Sequence, residues 1–394
     1  MNFAVTDTKS LPEHEWDVVV IGAGVAGCVA ARQFAQRGLR TLLVESRTIP
    51  RPKVCGGCLN SRAIHILKQI GLGHIVRDLR GETFNGISLR SGMSTTSLSL
   101  PPGISVTRHT LDLALLGEAH RAGAIVVTEA SAAVQSATNG EMRQIDLRCH
   151  DRKISVRSKV VVCADGLLRT SLHALPQMRS SHTANSRVGV GVVVEPGTLQ
   201  DSLTDRLPRH RITMIVERHG YVGLTWAEEG RLSVAGALDP QFVKSAGSPG
   251  VAVNRILTSH GIQFPENSGW HGTPSLTVAP QKNAAERIFV IGDAAGYVEP
   301  FTGEGMAAAV EEAVSVVPLV CQAVNGWQPS LGEAWQRQHR LLFRKRQRIC
   351  QLAAAILRRP WLSRLTMMAL NRFPQPANYL VNCITRPMLI LPHG

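Results

Sequence analysis

The chain has 394 residues, of which 44% are hydrophobic and 18% charged, and this is enough apolar material to bury a substantial core. The formal net charge is +14, but most of the excess lies near the end of the chain. The polar first fifteen residues do not resemble a signal peptide, and the absence of any window of about 18 unbroken apolar residues argues against a membrane span.

The first predicted element is a buried strand that turns on glycine into a helix. Residues 18–21 form an unbroken apolar run, as expected for a strand covered on both faces of a parallel sheet. The G-x-G-x-x-G spacing that follows allows a tight turn, close approach of the backbone to a pyrophosphate, and close packing of helix on strand. The helix N-terminus near Val25 directs free N–H groups at the phosphates. The turn residues predicted to contact a cofactor are Gly22, Ala23, Gly24, Ala26 and Gly27.

A second predicted strand, over residues 41–44, ends at an acidic residue. Glu45 lies 23 residues after Gly22, where a carboxylate accepts hydrogen bonds from the ribose hydroxyls of an adenosine, and Ser46 follows it. Strand, glycine turn, helix and acid together predict a dinucleotide site. The alternative is a tight strand–helix turn that holds no ligand.

The loop after this acid carries two cysteines in the segment RPKVCGGCLN, residues 51–60. Cys55 and Cys58 form a C-x-x-C pair, but no second pair or histidine pair stands at zinc-ligand spacing, so no metal site is expected. A redox dithiol remains an alternative. The other six cysteines are interpreted as reduced core residues of a cytoplasmic protein. No H-E-x-x-H or G-x-S-x-G motif supports a hydrolase.

The middle of the chain has a different character. Residues 84–100 are rich in Ser, Thr and Gly with alternating apolar positions, which suggests a hairpin. Four further segments have the alternation of strands and are expected to form an antiparallel sheet that covers the cofactor and builds the substrate pocket. These segments are residues 187–195, 212–217, 221–226 and 232–237.

A second strand–turn–helix motif follows about two-thirds of the chain after the first. Residues 288–291 form a buried strand, and Asp293 at its end is placed to bind a ribityl hydroxyl. The turn PFTGEGM, residues 300–306, starts a helix of small residues whose N-terminus stabilises negative charge on a reduced flavin. A single glycine fingerprint indicates only a dinucleotide, whereas the two strand–turn–helix motifs in this order predict FAD.

These motifs resemble those of a known family. The pattern GDAAGxxxPxTGEGM, with the N-terminal fingerprint, is similar to para-hydroxybenzoate hydroxylase-fold flavoproteins, and within them to the geranylgeranyl reductase-like branch, over about residues 16–325. The resemblance implies an α/β fold in which a Rossmann-like FAD-binding domain is interleaved with an antiparallel-sheet substrate domain. The implied boundaries are 16–83, 105–186 and 280–325 for the FAD-binding domain, 84–104 and 187–279 for the substrate domain, and 326–394 for a basic helical C-terminal segment.

The resemblance also implies roles for particular residues. Residues 53–57 match a Lys/Arg-x-Cys-Gly-Gly element that lies near the isoalloxazine ring, so Cys55 is the candidate catalytic proton donor, with packing in the pocket wall as the alternative. Arg108 would face the cofactor, and Asp112 is interpreted as a structural helix-start residue. The predicted cofactor-binding residues outside the first turn are Glu45, Ser46, Lys53, Gly56, Gly57, Arg108, Ala130, Asp165, Gly166, Asp293, Pro300, Gly303, Gly305 and Met306.

One departure from that branch falls in the predicted substrate sheet. The branch often carries a Gly-aromatic-x-Trp-x-Phe-Pro segment, whereas this chain reads GYVGLTW over residues 220–226. Gly223 stands in place of the Trp and Trp226 in place of the Pro, so the pocket is expected to differ from one shaped for a prenyl chain. Tyr221 and Trp226 are predicted to line it, with ordinary core packing as the alternative for Trp226.

Residues 334–394 contain 11 Lys or Arg and no Asp or Glu. Apolar residues recur there at helical spacing, and Pro360 opens a second helical segment. One interpretation is two helices packed on the cofactor domain with a solvated basic face. The other is an interfacial surface that contacts anionic lipid and admits a lipidic substrate. Nucleic acid is not expected, because bulky apolar residues alternate with the basic ones.

The sequence therefore predicts an FAD-dependent oxidoreductase that uses NAD(P)H or another reductant and acts on a lipophilic small molecule. In one chemistry, reduced flavin delivers hydride to a double bond of an isoprenoid-like lipid. In the other, a monooxygenase hydroxylates an aromatic or phenolic lipid with NAD(P)H and oxygen, and the fold alone does not decide between them. A non-enzymatic flavin-binding or membrane scaffold protein is the third class. The expected location is the cytoplasm, with peripheral contact at the inner face of the membrane.

Overall fold

The computed structural model describes residues 11, 14–182, 186–198, 206–264, 269–299, 303–357 and 359–372. The strands are β1 (Glu15–Ile21), β2 (Thr41–Val44), β3 (Cys58–Leu59), β4 (Glu82–Ser91), β5 (Ser94–Ser105), β6 (Ile125–Val127), β7 (Ala130–Asn139), β8 (Met142–Cys149), β9 (Arg152–Cys163), β10 (Ser180–His182), β11 (Val188–Val194), β12 (Arg211–Glu217), β13 (Gly220–Trp226), β14 (Leu232–Leu238), β15 (His271–Ser275), β16 (Val278–Pro280), β17 (Ala284–Ala285) and β18 (Ile288–Val290). The α-helices are α1 (Val25–Ala35), α2 (Ser61–Gln69), α3 (Gly73–Asp78), α4 (Arg108–Arg121), α5 (Pro240–Ala246), α6 (Pro249–Thr258), α7 (Gly305–Ser315), α8 (Val317–Asn325), α9 (Pro329–Leu357) and α10 (Pro360–Arg372).

The first sheet carries both glycine motifs. Its strand order is β17-β18-β9-β1-β2-β6, and all neighbours in this order run parallel except β17 and β18. Alternate residues of β1 enter different hydrophobic clusters: Val18 and Val20 face the helical side with α1, α4 and α7, while Val19 and Ile21 face the side covered by β7 and β8. This burial on both faces is the reason for the unbroken apolar run in the sequence.

The second sheet has the order β15-β11-β14-β13-β12-β4-β5-β3. The predicted hairpin is confirmed as the antiparallel pair of β4 and β5, and the four predicted strands are present as β11 to β14. The sheet is not wholly antiparallel, because β4 and β12 pair in parallel. Strands joined by a short turn must run in opposite directions, but these two are not joined in that way. A long stretch of the domain built on the first sheet (the first domain) lies between them in the chain, so they can pair in parallel. β3 also joins this sheet, outside the boundaries implied by the sequence.

The two faces of the second sheet have different neighbours. Val222, Leu224 and Trp226 pack into a cluster with residues of α6 and partly buried residues of α5. Tyr221, Gly223 and Thr225 of the same strand line a cavity between the sheet and the first domain. Successive residues of a strand point to opposite faces, so β13 separates a closed core from an open pocket.

The helices α7 and α8 form the one stretch of the described residues that is long and apolar enough to resemble a membrane span. Gly305–Asn325 is long and apolar enough to cross a membrane by composition, but 72% of its most apolar window is buried inside the protein. These helices contact α1 and β9, which is the environment of core helices in the first domain. Their composition is therefore explained by packing within the fold.

The predicted C-terminal helices are present as α9 and α10, and Pro360 opens α10 as the sequence indicates. α9 contacts α8, β17 and β18 of the first domain, whereas α10 contacts β4 and β5 of the second sheet. The pair therefore spans both domains instead of packing on the cofactor domain alone. Residues 373–394 of the predicted segment lie outside the described residues.

Candidate active site

The first glycine turn is shaped by backbone contacts. Gly22 has a φ of 102°, and a Cβ there would lie 2.4 Å from the carbonyl oxygen of Ala164. A Cβ at Gly27 would lie 1.8 Å from the carbonyl oxygen of Gly22, so α1 packs directly on the turn. Gly24 differs, because the nearest atom to its hypothetical Cβ is Nη2 of Arg108 at 3.7 Å. The protein itself requires Gly22 and Gly27 to be glycine, whereas Gly24 borders open space.

Two helix N-termini open into the same cavity. α1 begins after Gly24, and no described side chain caps it. α7 begins after Glu304, and again no cap from a described side chain is present. Val25 of α1 and Gly305 of α7 both line the cavity. Uncapped N-terminal N–H groups and the positive end of a helix dipole form a ready site for an anion.

Glu45 is buried and organises the turn that precedes α1. Its Oε2 accepts a hydrogen bond of 2.9 Å from the backbone N–H of Ala23, and its Oε1 accepts one of 3.0 Å from the N–H of Arg47. Ser46 donates its hydroxyl to the same carboxylate, and the backbone N–H of Ala130 donates to the carbonyl of Glu45. The carboxylate thus has a structural role that the sequence did not indicate, in addition to the predicted role of ribose acceptor.

The loop with the two cysteines is clamped against the second sheet. The hydroxyl of Ser233 donates to the carbonyl of Cys55 at 3.1 Å, and the N–H of Gly57 donates to the Cys55 sulfur at 3.4 Å. Gly57 has a φ of 71°, and a Cβ there would lie 2.6 Å from the carbonyl oxygen of Val106. Burial raises the pKa of the Cys58 thiol to about 12, which favours the protonated thiol at neutral pH.

Charged side chains of opposite sign meet at the cofactor end of the cavity. Lys53 Nζ lies 3.5 Å from Asp293 Oδ2, which joins the cysteine loop to the second glycine motif. Arg108 and Asp112 form a buried two-point pair with N–O distances of 2.9 and 2.8 Å. Asp112 is one turn inside α4, so it is not the helix-start residue that the sequence suggested. Its role is to hold the Arg108 guanidinium beside Gly24.

The predicted Asp-Gly element divides into two roles. The carboxylate of Asp165 accepts a hydrogen bond of 2.8 Å from the N–H of Ser171, and burial raises its pKa. Asp165 therefore stabilises the turn at Thr170–Leu172, and its neighbour Gly166 lines the cavity. Its hydrogen bonds within the turn use Oδ2, whereas the buried Oδ1 has no hydrogen-bond partner among the described residues.

The second glycine motif is held from behind by a buried acidic residue. The N–H of Gly292 donates to Glu312 Oε2 at 2.8 Å, and His339 of α9 lies 3.6 Å from the other oxygen of Glu312. Asn283 bonds to both His339 and the carbonyl of Ala295, so α9 is tied to this turn. The predicted residue Pro300 lies outside the described residues.

A second buried charge cluster supports the start of α7. The Arg62 guanidinium lies 3.6 Å from Glu304 and 3.7 Å from Glu311, and all three side chains are almost fully buried. No motif in the sequence predicted this cluster of Arg62, Glu304 and Glu311 or the contact between Glu312 and His339. The pair of adjacent glutamates in an otherwise apolar helix was the signal in the sequence. Buried carboxylates are almost always paired with an opposite charge, so this pair indicated a buried charge cluster.

The cavity has a volume of about 410 Å³ and runs from the glycine motifs across the second sheet to α9 and α10. Tyr221 lines it, as predicted, and Tyr297 lines it without having been predicted. The prediction for Trp226 is wrong, because its ring lies in the core on the opposite face and its Nε1 donates to the carbonyl of Leu207. The other predicted site residues that line the cavity are Gly24, Ala26, Lys53, Cys55, Gly56, Arg108, Gly166, Asp293, Gly303, Gly305 and Met306.

These residues fit FAD. The open space at Gly24 and the uncapped α1 would hold a pyrophosphate, Glu45 the adenosine ribose, and Asp293 the ribityl chain. The cysteine loop and the N-terminus of α7 would flank the flavin. Bound FAD supplies the two-electron chemistry, and the protein supplies orientation and electrostatics.

The fold and this cavity define an FAD-dependent oxidoreductase. The sequence matches the FAD binding domain family over residues 15–340, and the protein belongs to that family. The chain is similar to digeranylgeranylglycerophospholipid reductase 1 of Methanopyrus kandleri, with 28% identity over 328 residues that cover 79% of this chain and 80% of the relative. It is also 25% identical over 347 residues to conditioned medium factor receptor 1 of Dictyostelium discoideum, where the match covers 79% of this chain and 64% of that protein.

Solved structures share the architecture. p-Nitrophenol 4-monooxygenase PnpA from Pseudomonas putida DLL-E4 superposes with a TM-score of 0.76 and 13% identity, covering 94% of this chain and 97% of that one. Flavin-dependent brominase Bmp2 gives a TM-score of 0.75 and 18% identity, covering 94% of each chain. At this identity the likeness concerns the fold. The family, fold class, enzyme class and FAD cofactor that the sequence predicts are confirmed.

Proposed function

We propose that the protein reduces a carbon–carbon double bond of an isoprenoid-like lipid, with electrons from NAD(P)H or another reductant. The observation that carries the proposal is the apolar wall of the cavity beyond the cysteine loop. Each Å² of apolar lipid surface that is buried against this wall contributes about 25 cal/mol to the free energy of binding. Two relatives are named digeranylgeranylglycerophospholipid reductases, and a geranylgeranyl group contains carbon–carbon double bonds. Their names therefore support the same chemistry. The wall includes Ile87, Leu89, Leu98, Ile212, Met214 and Leu276.

Reduction of a double bond needs a proton as well as a hydride. Cys55, Tyr221 and Tyr297 line the cavity and carry dissociable protons. Burial raises the pKa of both tyrosine hydroxyls well above the usual range, so they stay protonated and are weak acids. The hydrogen bond from Ser233 to the carbonyl of Cys55 fixes the loop that carries this residue, and we therefore take Cys55 as the proton donor.

Cys55→Ser is expected to retain FAD and to lower kcat by roughly 10²–10⁴-fold, the range for loss of a general acid. Cys58→Ser should change turnover little, because that thiol is buried, stays protonated and donates to the carbonyl of Gly56. Steady-state kinetics with the FAD content of each variant check this. Equal large losses from both substitutions would indicate a dithiol, and no loss from either would leave Cys55 as a packing residue.

Hydroxylation of an aromatic or phenolic lipid is the second candidate, and the absence of a side chain at Gly223 favours it by widening the pocket. One experiment distinguishes double-bond reduction from hydroxylation. Enzyme reduced with dithionite is mixed with a geranylgeranyl lipid without oxygen. Reoxidation of the flavin with gain of two hydrogens by the lipid supports reduction. A requirement for oxygen, with gain of one oxygen atom by a phenolic lipid, overturns reduction in favour of hydroxylation.

We further propose that α10 contacts an anionic membrane surface and that the protein is peripheral on the cytoplasmic side. Trp361, Leu365 and Met368 recur at helical spacing on α10 and are 61%, 50% and 56% exposed. Arg348 of α9 and Arg359, which directly precedes α10, are also exposed, in a segment that carries 11 basic and no acidic residues. Exposed apolar residues flanked by cations are typical of an interfacial helix. Other residues of α10 line the cavity, so a lipid would enter beside this helix.

The protein is expected to co-sediment with phosphatidylglycerol vesicles at low salt but not with phosphatidylcholine vesicles. Each cation near an anionic surface contributes about 1 kcal/mol, and salt should release the protein because it screens this attraction. A combined Trp361→Ser, Leu365→Ser and Met368→Ser variant should lose binding with its flavin spectrum intact. Val251→Ser, which changes an exposed apolar residue on α6, a helix that packs on the opposite face of the second sheet, is the matched control. Wild-type protein that ignores anionic vesicles would show that the helices are only a structural cap.

A further inference from the structure

We infer that Ser363 of α10 binds the polar end of the lipid, and that the hydrocarbon chain runs from α10 across the second sheet to the loop that carries Cys55. The inference rests on the proposed action on a lipid. It adds the direction in which the lipid lies and the residue that holds its polar end. The group that Ser363 recognises is an uncharged oxygen atom, such as the hydroxyl of a long-chain alcohol.

The Ser363 hydroxyl is buried against the cavity without a hydrogen-bond partner. Ser363 lines the cavity and is 2% exposed, and its Oγ has no partner among the residues that the structure describes. The backbone N–H of the same residue donates to the carbonyl of Arg359 at 2.9 Å, so only the hydroxyl is left unpaired. A buried hydroxyl without a partner is unfavourable, and an oxygen of a bound ligand would satisfy it.

The cavity end formed by the two C-terminal helices is uncharged. The described residues of α9 and α10 that line it carry either a hydroxyl or an apolar side chain, and these residues are Leu352, Ile356, Ser363, Thr366, Met367 and Leu370. A phosphate would be costly to bury among them, because burial of a charge without a partner is unfavourable. An alcohol oxygen matches the two hydroxyls, and a hydrocarbon chain matches the apolar side chains.

One row of paired residues crosses the floor of the cavity from the cysteine loop to α10. It takes one residue from each of five neighbouring strands, in the order Ala235, Gly223, Met214, Leu89 and Thr96. Ala235 stands two residues from Ser233, whose hydroxyl donates to the carbonyl of Cys55. At the other end, the Thr96 hydroxyl donates to the carbonyl of Met367 on α10 at 3.3 Å. The row therefore joins the two ends of the proposed lipid site.

The row also sets the length of the lipid. From β14 to β5 there are four spacings between neighbouring strands, which at about 4.8 Å each make about 19 Å. An extended chain advances roughly 1.2 Å per bond, so about sixteen bonds separate the oxygen at α10 from the carbon beside Cys55. Gly223, Met214 and Leu89 in the middle of the row are apolar, as a hydrocarbon chain requires. A double bond beside Cys55 is therefore far from the polar end.

Two photoreactive alcohols with chains of about sixteen carbons test this direction in the FAD-loaded protein. The first carries a diazirine at the end far from the hydroxyl, and it should label the cysteine loop, residues 51–60. The second carries the diazirine beside the hydroxyl, and it should label α10. Mass spectrometry of the labelled peptides identifies both positions. An exchange of the two labelling patterns, or the same pattern from both probes, would overturn the inference.

Ser363→Ala should weaken binding of geranylgeraniol to the FAD-loaded protein by roughly 3–10-fold, which corresponds to the loss of one hydrogen bond. Binding of the same hydrocarbon without its hydroxyl should not change. The change in flavin absorbance on titration with each lipid measures both affinities. Ser97→Ala is the matched control, because it removes an exposed hydroxyl from the opposite face of β5. Equal affinity of Ser363→Ala and wild-type protein for geranylgeraniol would contradict the assignment.

Thermal melts of the lipid-free protein distinguish a ligand-binding hydroxyl from a structural one. Ser363→Ala should melt at or above the wild-type temperature, because it removes a buried hydroxyl that has no partner. A lower melting temperature would show that the hydroxyl supports the fold, and the inference would then fail. These experiments measure binding and not turnover, so their outcome is separate from the anaerobic test of double-bond reduction.

Discussion

Gly24→Ala should give a folded protein that has lost most of its affinity for FAD. The protein has room for the added methyl, because its nearest neighbour is Arg108 Nη2 at 3.7 Å. In a glycine fingerprint, however, this position is where the backbone approaches the pyrophosphate. Overpacking of a tight contact costs roughly 1–3 kcal/mol, which corresponds to about 5–150-fold in affinity. Titration of apoprotein with FAD, followed by quenching of flavin fluorescence, measures the loss.

Gly27→Ala serves as the contrasting variant in the same experiment. Its Cβ would lie 1.8 Å from the carbonyl oxygen of Gly22, so the apoprotein itself should be strongly destabilised in thermal melts. Gly197→Ala, where no atom lies within 4 Å of the added Cβ, is the benign control. Wild-type FAD affinity in Gly24→Ala would show that the pyrophosphate binds elsewhere, and a wild-type melt of Gly27→Ala would contradict the close packing of α1 on the turn.

Arg62→Met should lower the free energy of unfolding by roughly 3–5 kcal/mol, the usual cost of removing one partner from a buried ionic cluster. The guanidinium lies between Glu304 and Glu311, and its removal leaves two buried carboxylates near each other. Because Glu304 directly precedes α7, the loss should also weaken FAD binding. Urea unfolding of the apoprotein and FAD titration measure the two effects separately.

Two variants make this result specific. Arg77→Met changes an exposed arginine on the neighbouring helix α3 and should alter stability by less than about 0.5 kcal/mol. Adding Glu304→Gln and Glu311→Gln to Arg62→Met removes the uncompensated charges and should recover much of the stability. A small effect of Arg62→Met, or no recovery in the triple variant, would show that this cluster is not the support of α7.

Local patterns in the sequence predicted much of the site, because backbone geometry depends mainly on neighbouring residues. The spacing of Gly22, Gly24 and Gly27 with the apolar run before it predicted the strand, the turn and the start of α1. Period-two alternation gave the strands of the second sheet, although not the parallel pairing of β4 and β12. The same alternation excludes one of the pocket predictions. Tyr221 and Trp226 are an odd number of residues apart in one strand, so their side chains point to opposite faces of the sheet and cannot line one pocket together.

By itself, then, the sequence determined the two glycine motifs, the α/β class and the FAD cofactor, since each depends on short-range spacing that any fold of this kind must satisfy. Only the tertiary structure decided which face of β13 borders the cavity, that Asp165 bonds to its own turn, and that Arg62 meets Glu304 and Glu311. It also placed α10 against β4 and β5 of the second sheet. These contacts join residues far apart in the chain, and their partners are selected by packing and by the need to pair buried charge, which no local pattern records.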